Sequence, residues 1–181
     1  MYKKMLREKL QINKKGFTLI ETLVAVSILV LAVTGAFSAA HNGMMSSLYS
    51  KDQVTAFYLA QEAIEQIRNL RDQNGIRGNP QGWLSGIANP GDPCTFGNTC
   101  YVDALNDAAP LILCPATCPT LLLNNNGFYS YDNGTTTKFR REVNISSISA
   151  NEIVIEATVY WTKGVLVDRS FTAREHLFNW Q

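Results

Sequence analysis

The longest apolar stretch of the chain lies near its N-terminus, from Phe17 to Ala40. Within these 24 residues the one charged side chain belongs to Glu21. As an α-helix the segment would extend about 36 Å, which exceeds the roughly 30 Å of a bilayer hydrocarbon core. The pattern therefore predicts a transmembrane helix over residues 17–40.

A one-sided helical pattern follows this stretch. From Met44 to Gln73 the chain has no Pro or Gly, and apolar residues recur three or four positions apart. We predict that they form one apolar face, comprising Val54, Phe57, Ala60, Ile64, Ile67 and Leu70. Glu65 and Arg68 are spaced to form an i,i+3 ion pair. Residues 41–74 are therefore predicted to be the amphipathic half of the same helix, with Gly75 as its stop signal.

The pattern becomes irregular after the helix and then alternates. Residues 75–127 are rich in Gly, Pro and Asn, as in GNPQGW, ANPGDPC and LNNNG, which predicts a long loop region. From Phe128 apolar and polar residues alternate with period two. Asp132-Asn-Gly134 is a hairpin signal between Phe128–Tyr131 and Thr136–Ile145.

Two further strands are predicted near the C-terminus. One alternates from Ile153 to Trp161, and Thr162-Lys-Gly164 turns the chain into the last strand. That last strand contains Val165, Val167, Phe171 and Ala173, and the chain ends near Trp180. Residues 128–181 thus predict an antiparallel sheet of three to four strands with one apolar face. The amphipathic helix is the natural cover for that face, so the fold class is α+β.

Charge is distributed unevenly along the chain. Residues 1–16 contain six basic residues and one acidic residue, a net charge of +5. The remaining residues contain ten basic and fourteen acidic residues, a net charge of −4. Basic residues that precede an apolar span remain in the cytoplasm, so residues 1–16 are predicted inside and the C-terminal part outside. The acidic balance argues against a general nucleic-acid-binding surface.

This orientation decides how the cysteines are interpreted. An even, clustered set forms disulfides in an exported chain and a metal site in a cytosolic one. Cys-x5-Cys and Cys-x3-Cys are also poor spacings for zinc. We therefore predict two disulfides, with the local pairs Cys94–Cys100 and Cys114–Cys118 favoured. The nested pairing, Cys94–Cys118 with Cys100–Cys114, remains the main alternative.

The junction between the basic segment and the apolar helix carries the most specific motif. Lys14 to Glu21 reads KKGFTLIE. An ordinary signal peptide has an apolar region of about 7–15 residues, shorter than this one. A carboxylate five residues into the helix costs about 2.5–3.5 kcal/mol on insertion scales and calls for a partner. The motif resembles the class III leader of type IV pilins and type II secretion pseudopilins.

The resemblance implies a processing and assembly route. Residues 1–16 would be a leader peptide that a prepilin peptidase removes between Gly16 and Phe17, and Phe17 would be N-methylated. Glu21 would become the fifth residue of the mature chain and would pair with the new ammonium of a neighbouring subunit during assembly. The implied partners are other pilin or pseudopilin subunits, the peptidase and methyltransferase, an inner-membrane assembly platform, and the lipid bilayer before assembly.

Two departures from major pilins favour a specialised subunit. Many major pilins carry Pro in the second half of this helix, whereas this chain has Gly35 and Gly43 there and no Pro. Their disulfide usually closes a C-terminal loop, whereas no Cys follows Cys118. The segment from Tyr58 to Asp72 is similar to the same helix in V-type minor pilins and I-type pseudopilins. The resemblance implies a pilin-like roll in which this helix packs on the C-terminal antiparallel sheet.

The leading hypothesis is therefore a minor pilin or pseudopilin, a structural subunit of a type IV pilus or type II secretion filament. The alternative is an adhesin or DNA-uptake pilin whose head binds a surface or nucleic acid through a basic patch of Lys138, Arg140, Arg141 and Lys163. No catalytic motif is found, so no enzyme activity and no cofactor are expected. His41 and His176 are interpreted as surface or packing residues. Asp92, Asp103, Asp107 and Asp168 lack the ligand density of a calcium site, so no metal is expected.

Overall fold

The computed structural model describes residues 16–106, 110–163 and 167–179. The chain divides into an N-terminal unit, Met1–Ser47, and a C-terminal unit, Leu48–Gln181. Helix α1 spans Leu19–Arg77 and continues through Gly35 and Gly43 without a break. The C-terminal unit packs the last part of this helix against an antiparallel sheet. The predicted α+β class and the helix-on-sheet arrangement are confirmed.

Helix α1 ends at Arg77, and the glycine that terminates it is Gly78, three residues after Gly75, the predicted stop. Gly78 adopts a left-handed conformation, with φ of 60°. Its N–H donates to the carbonyl of Gly75 (3.0 Å), and the N–H of Asn79 donates to the carbonyl of Asn74 (3.0 Å). These two bonds form a Schellman motif, which satisfies carbonyls that the end of a helix leaves unpaired. Gly75 lies inside the helix because the terminating glycine must follow the last helical residue.

The buried face of α1 differs in part from the predicted face. It comprises Ala56, Leu59, Ala60, Ala63, Ile64, Ile67 and Arg71. The prediction was right for Ala60, Ile64 and Ile67. It was wrong for Val54 and Phe57, which are exposed at 53% and 39%. Three alanine residues, Ala56, Ala60 and Ala63, belong to the true face, and all three are fully buried.

The described strands form one antiparallel sheet with seven members. Their bounds are β1 Thr99–Val102, β2 Leu111–Leu113, β3 Thr120–Leu123, β4 Tyr129–Ser130, β5 Thr135–Ser149, β6 Glu152–Lys163 and β7 Val167–Phe178. Strand β5 is central: β6 pairs with one of its edges, and β3 and β1 share the other. Strand β2 pairs with β1, β4 pairs with β3, and β7 pairs with β6.

Two expectations about this sheet change. The region 75–127 contains three short strands, β1 to β3, and is not a loop throughout. The predicted hairpin at Asp132-Asn-Gly134 was wrong, because β3 lies between β4 and β5. The tight turn is instead Asn124–Gly127, where the N–H of Gly127 donates to the carbonyl of Asn124 (3.0 Å). Gly134 has φ of 149°, and a Cβ there would overlap the carbonyl group of Leu123 on β3, so only glycine fits.

The alternation predicted for the C-terminal strands matches the observed inward face. Phe139, Val143 and Ile145 on β5 are buried, as is every second residue from Ile153 to Trp161 on β6. Together with the alanine-rich face of α1 these residues form one apolar core. Residues 164–166 and Trp180 lie outside the described residues, so the turn predicted at Thr162-Lys-Gly164 stays a prediction.

Candidate functional site

The N-terminal unit exposes its apolar side chains. Every residue from Gly16 to Met44 is exposed, including Phe17 at 77% and Leu31 at 72%. The first part of α1 is long and apolar enough to cross a membrane. A helix that is apolar on all sides is stable only when lipid or other apolar helices surround it. The exposed apolar helix of this unit therefore needs lipid or other apolar helices around it.

Hydroxyl groups within this helix are satisfied by the helix itself. Thr22 donates to the carbonyl of Leu19 (2.9 Å), Ser27 to that of Leu23 (2.8 Å), and Thr34 to that of Val30 (2.8 Å). Such back-bonding lets Ser and Thr enter an apolar environment without an unpaired donor. Polar groups of this type do not need an external partner, which leaves the carboxylate of Glu21 as the exception.

Thr18 and Glu21 define where the helix begins. The backbone N–H of Glu21 donates to Oγ1 of Thr18 (3.3 Å), and Thr22 N–H donates to the Thr18 carbonyl (3.1 Å). Thr18 is therefore the N-cap, with Glu21 at the third helical position, the spacing of a capping box. The sequence analysis did not consider this role, although Thr-x-x-Glu is its recognised signal.

Glu21 has two consequences for the first turn of α1. Its negative charge lies where the helix dipole is positive, which stabilises the start of the helix. Among the described residues its carboxylate has no hydrogen-bond or ion-pair partner, and the side chain is exposed. Gly16 and Phe17 precede the helix without regular structure. Leader residues 1–15 lie outside the described residues.

The cysteines form the two local pairs, Cys94–Cys100 and Cys114–Cys118, and not the nested pairs. Cys94 and Cys100 have Cα atoms 5.4 Å apart, and Cys114 and Cys118 have Cα atoms 4.7 Å apart, both within the usual disulfide range. Cys94 and Cys100 are fully buried in the core. The first pair anchors the segment after α1 to β1, and the second closes the connection between β2 and β3.

Arg141 occupies a position that the sequence analysis assigned wrongly. It was grouped with a surface basic patch, but its side chain is buried beneath α1. Its Nη1 donates to the Leu59 carbonyl and to Oε2 of Glu62, both at 2.7 Å, and its Nη2 donates to the Val102 carbonyl. The guanidinium thus joins α1, β1 and β5 in one polar cluster inside the core.

The remaining members of that patch are neutralised. Lys138 pairs with Asp52 (2.6 Å), and Arg140 pairs with Glu142 (2.8 Å) and stacks over the ring of Tyr160 at 4.8 Å. The side chain of Lys163 lies outside the described residues. A phosphate backbone is bound by several unpaired cations, and this surface presents two that carry their own carboxylates.

Other titratable groups serve local structure. His176 Nδ1 lies 2.7 Å from Glu152 on the neighbouring strand, and His41 is exposed on α1. Asp92 accepts the N–H of Asn89 (2.8 Å), and Asp103 is 2% exposed. Asp107 and the side chain of Asp168 lie outside the described residues. In the described ranges no group of three His, Cys, Asp or Glu side chains is arranged to hold a metal ion.

These features define a class of protein: an α+β unit that follows an exposed, membrane-length helix with one acidic residue in its first turn. A comparison with protein families narrows the class. The model of the prokaryotic N-terminal methylation motif matches residues 12–37. The chain therefore carries the leader signature of type IV pilins and pseudopilins, as the resemblance had indicated. No curated protein and no solved structure matches the chain.

The motif supports a coarse functional statement. The motif at residues 12–37 supports a type IV pilin-like or pseudopilin precursor, which is a structural type of protein. The motif implies processing by a prepilin peptidase and assembly with other pilin subunits. Together with one membrane-length helix near the N-terminus, it fits a single-pass membrane protein.

Proposed function

We propose that this protein is a minor pilin or pseudopilin of a type IV pilus or type II secretion filament. Prepilin peptidase cleaves after Gly16, Phe17 becomes the methylated N-terminus, and the mature subunit enters a filament through its N-terminal helix. Before assembly the leader lies in the cytoplasm, the helix spans the inner membrane and the C-terminal unit lies outside. An assembly platform in the inner membrane transfers the subunit into the filament.

One observation carries this proposal: the N-terminal unit exposes an apolar helix whose single charge, Glu21, lies in the first turn. Lipid surrounds such a helix in the membrane, and the helices of other subunits replace lipid in a filament. Helix exchange of this kind requires that the apolar surface remain uncovered by the rest of the chain. Within the N-terminal unit every residue from Gly16 to Met44 is exposed, which supports this proposal.

Glu21 gives the assembly its register. Cleavage creates an ammonium at Phe17, and a neighbouring helix displaced along the filament axis brings that ammonium close to the carboxylate. A buried charge without a partner costs several kcal/mol, roughly 3–5 when one member of a buried pair is removed. Packings that leave Glu21 unpaired are therefore disfavoured. Thr18 supports the same arrangement, because its cap fixes where the helix begins relative to the cleavage site.

The specialised role rests on the second part of the same helix. No Pro interrupts residues 17–40, and α1 remains helical through Gly35 and Gly43. The helix therefore lacks the proline at which the helices of many major pilins loosen. A subunit used in small numbers, to initiate or to end a filament, is consistent with this feature.

The first experiment determines the N-terminus of the membrane form. Mass spectrometry of the protein from cells with active prepilin peptidase should find N-methylated Phe17 as the first residue. Cells that lack the peptidase should retain residues 1–16. A chain that keeps its leader in the presence of active peptidase would falsify the precursor assignment.

The second experiment tests the role of Glu21 after cleavage. We expect Glu21→Ala to be processed normally but to enter sheared filament fractions at least about tenfold less, a loss of about 1.4 kcal/mol. Glu65→Ala is the matched control, since Glu65 is an exposed acid of the same helix outside its apolar half. Equal incorporation of both variants would remove the registry role while leaving the cleavage result intact.

A further inference from the structure

A pocket lined almost entirely by asparagine lies at the turn end of the β3–β4 hairpin. Its lining residues are Asn124, Asn125, Asn126, Asn133 and Gly134. The tight turn after β3 supplies the first three, and the connection from β4 to β5 supplies the other two. The pocket has a volume of about 330 Å³, near the lower end of the range for small-molecule sites.

One asparagine builds the pocket and the others face it. Oδ1 of Asn124 accepts the N–H groups of Asn126 (3.0 Å) and Phe128 (2.9 Å), which fixes the turn. Asn125, Asn126 and Asn133 are exposed, and no hydrogen bond joins their side-chain amides to another described residue. Three amide groups are therefore available to a ligand on a turn whose backbone is already ordered.

The chemistry of the lining selects the kind of ligand. A carboxamide both donates and accepts hydrogen bonds, as sugar hydroxyl groups do. No charged side chain lines the pocket, so nothing in it favours an anion or a cation. Phe128 leaves the same turn with 59% of its surface exposed. Its ring does not line the pocket, so the amide groups alone carry the recognition.

We infer that this asparagine pocket binds a neutral saccharide unit of a surface glycan. The neighbouring groove on the sheet is a weaker candidate, because its cations, Lys138 and Arg140, are paired with carboxylates. The inference does not depend on the filament role, since the pocket lies within the C-terminal unit. It gives that unit a recognition function in addition to its structural one.

The test uses the full-length chain in lipid nanodiscs, because detergents with sugar headgroups would occupy the pocket themselves. Binding is titrated by saturation-transfer NMR with four neutral probes, chitotriose, cellotriose, maltotriose and lactose. A sialylated lactose and a short DNA duplex serve as anionic probes. We expect at least one neutral probe to bind. The anionic probes should bind the parent chain no better than they bind the control variant, Asn69→Asp.

The decisive variant is Asn125→Asp/Asn133→Asp, which keeps side-chain shape but replaces donors with acceptors. It should lower affinity for the neutral probe at least about tenfold, a change of about 1.4 kcal/mol. Asn69→Asp, an exposed asparagine of α1 outside the pocket, should have no effect.

Three outcomes would overturn the inference: no neutral probe binds, binding is unchanged in Asn125→Asp/Asn133→Asp, or only the anionic probes bind. Near-UV circular dichroism of each variant checks that the hairpin is intact. Filament incorporation of the pocket variants should equal that of the parent chain. A failure of the saccharide inference is therefore distinguishable from a failure of the filament proposal.

Discussion

Arg141 illustrates how a single buried charge can organise a small domain. Its guanidinium is taken out of water and placed among the carbonyls of Leu59 and Val102 and the carboxylate of Glu62. Removing a charged side chain from such a cluster leaves its acceptors without donors, which costs more than the intact cluster contributes. The cluster joins α1 to two strands, so its loss should weaken the whole C-terminal unit.

We therefore expect Arg141→Met to destabilise the C-terminal unit by about 3–5 kcal/mol. Methionine approximately fills the volume of the arginine side chain, so the loss of stability reflects the acceptors that are left without a hydrogen-bond donor. Urea unfolding followed by near-UV circular dichroism measures the change. Arg140→Met, the adjacent arginine on the outer face, should cost no more than about 1 kcal/mol, as surface pairs do. Similar losses for both arginines would contradict the buried role.

Tyr131, next to this cluster, predicts a pH dependence at alkaline pH. Burial raises the pKa of its phenol from 10.0 to about 12, and the nearby Arg141 opposes the shift. The folded state therefore holds the proton more tightly than the unfolded chain. Stability is fully present below pH 10 and falls as pH rises towards 12, by at most about 2–3 kcal/mol.

Tyr131→Phe should make stability less dependent on pH across this range. The free energy of unfolding of the parent and of the variant is compared at pH 9 and at pH 11.5. Tyr101, Tyr129 and Tyr160, whose pKa values are also raised, are present in both proteins, so a difference between the two reports on Tyr131. An identical loss of stability in the parent and the variant would show that another group is responsible.

Some residue-level assignments could be predicted from the sequence, and others could not. The N-terminal methylation motif could be predicted because Lys14 to Glu21 are contiguous in the chain, and its match at residues 12–37 confirms it, while the roles of Gly16, Phe17 and Glu21 stay predictions. The burial of Arg141 depends on strand phase: Phe139, Val143 and Ile145 alternate on the inward face, and Arg141 shares their phase. Two adjacent arginines were taken as one patch, although adjacent strand residues point to opposite faces. The asparagine pocket depends on β3 pairing with β4, which the hairpin prediction missed.

At the level of elements, the end of α1 depends on one glycine. Gly78 has φ of 60°, which costs a residue with a side chain about 1–2 kcal/mol. Gly78→Ala should therefore destabilise the C-terminal unit by about 1 kcal/mol, as measured by urea unfolding. Gly78→Asn is the matched control, because asparagine tolerates the left-handed conformation, and it should retain most of the stability. A larger loss for Asn than for Ala would contradict the Schellman cap.

The long elements were more predictable than the short ones. Helix α1 and strands β5 to β7 contain enough residues for a period of 3.6 or 2 to become visible. Strands β1 to β4 have two to four residues each, and β1 joins the sheet through a distant partner on β5, as the pair Thr99 and Asn144 shows. Tertiary pairing decides whether such short segments form strands. The composition of this region, rich in Gly, Pro and Asn, therefore predicted a loop where the sheet continues.

At the level of the whole molecule, leader, helix and cysteines make one consistent account. In the proposed orientation, the six basic residues before the apolar helix keep residues 1–16 in the cytoplasm and place the four cysteines in an oxidising compartment. The two disulfides within the C-terminal unit then depend on a charge pattern that lies before the helix. Orientation and oxidation should therefore change together when the leader charge is altered.

Reversing that charge tests the account. Lys3→Glu/Lys4→Glu/Arg7→Glu/Lys9→Glu leaves the KKGFTLIE motif unchanged but makes the leader net acidic. We expect a large fraction of this variant to keep its C-terminal unit in the cytoplasm, where its cysteines stay reduced. A membrane-permeant maleimide should then label it without prior reduction, while the parent chain is labelled only after reduction. The matched variant, with the same four residues changed to Gln, lowers the leader charge less and should be labelled to an intermediate extent. Fully oxidised cysteines in the Glu variant would mean that the apolar helix sets the orientation without the leader charge.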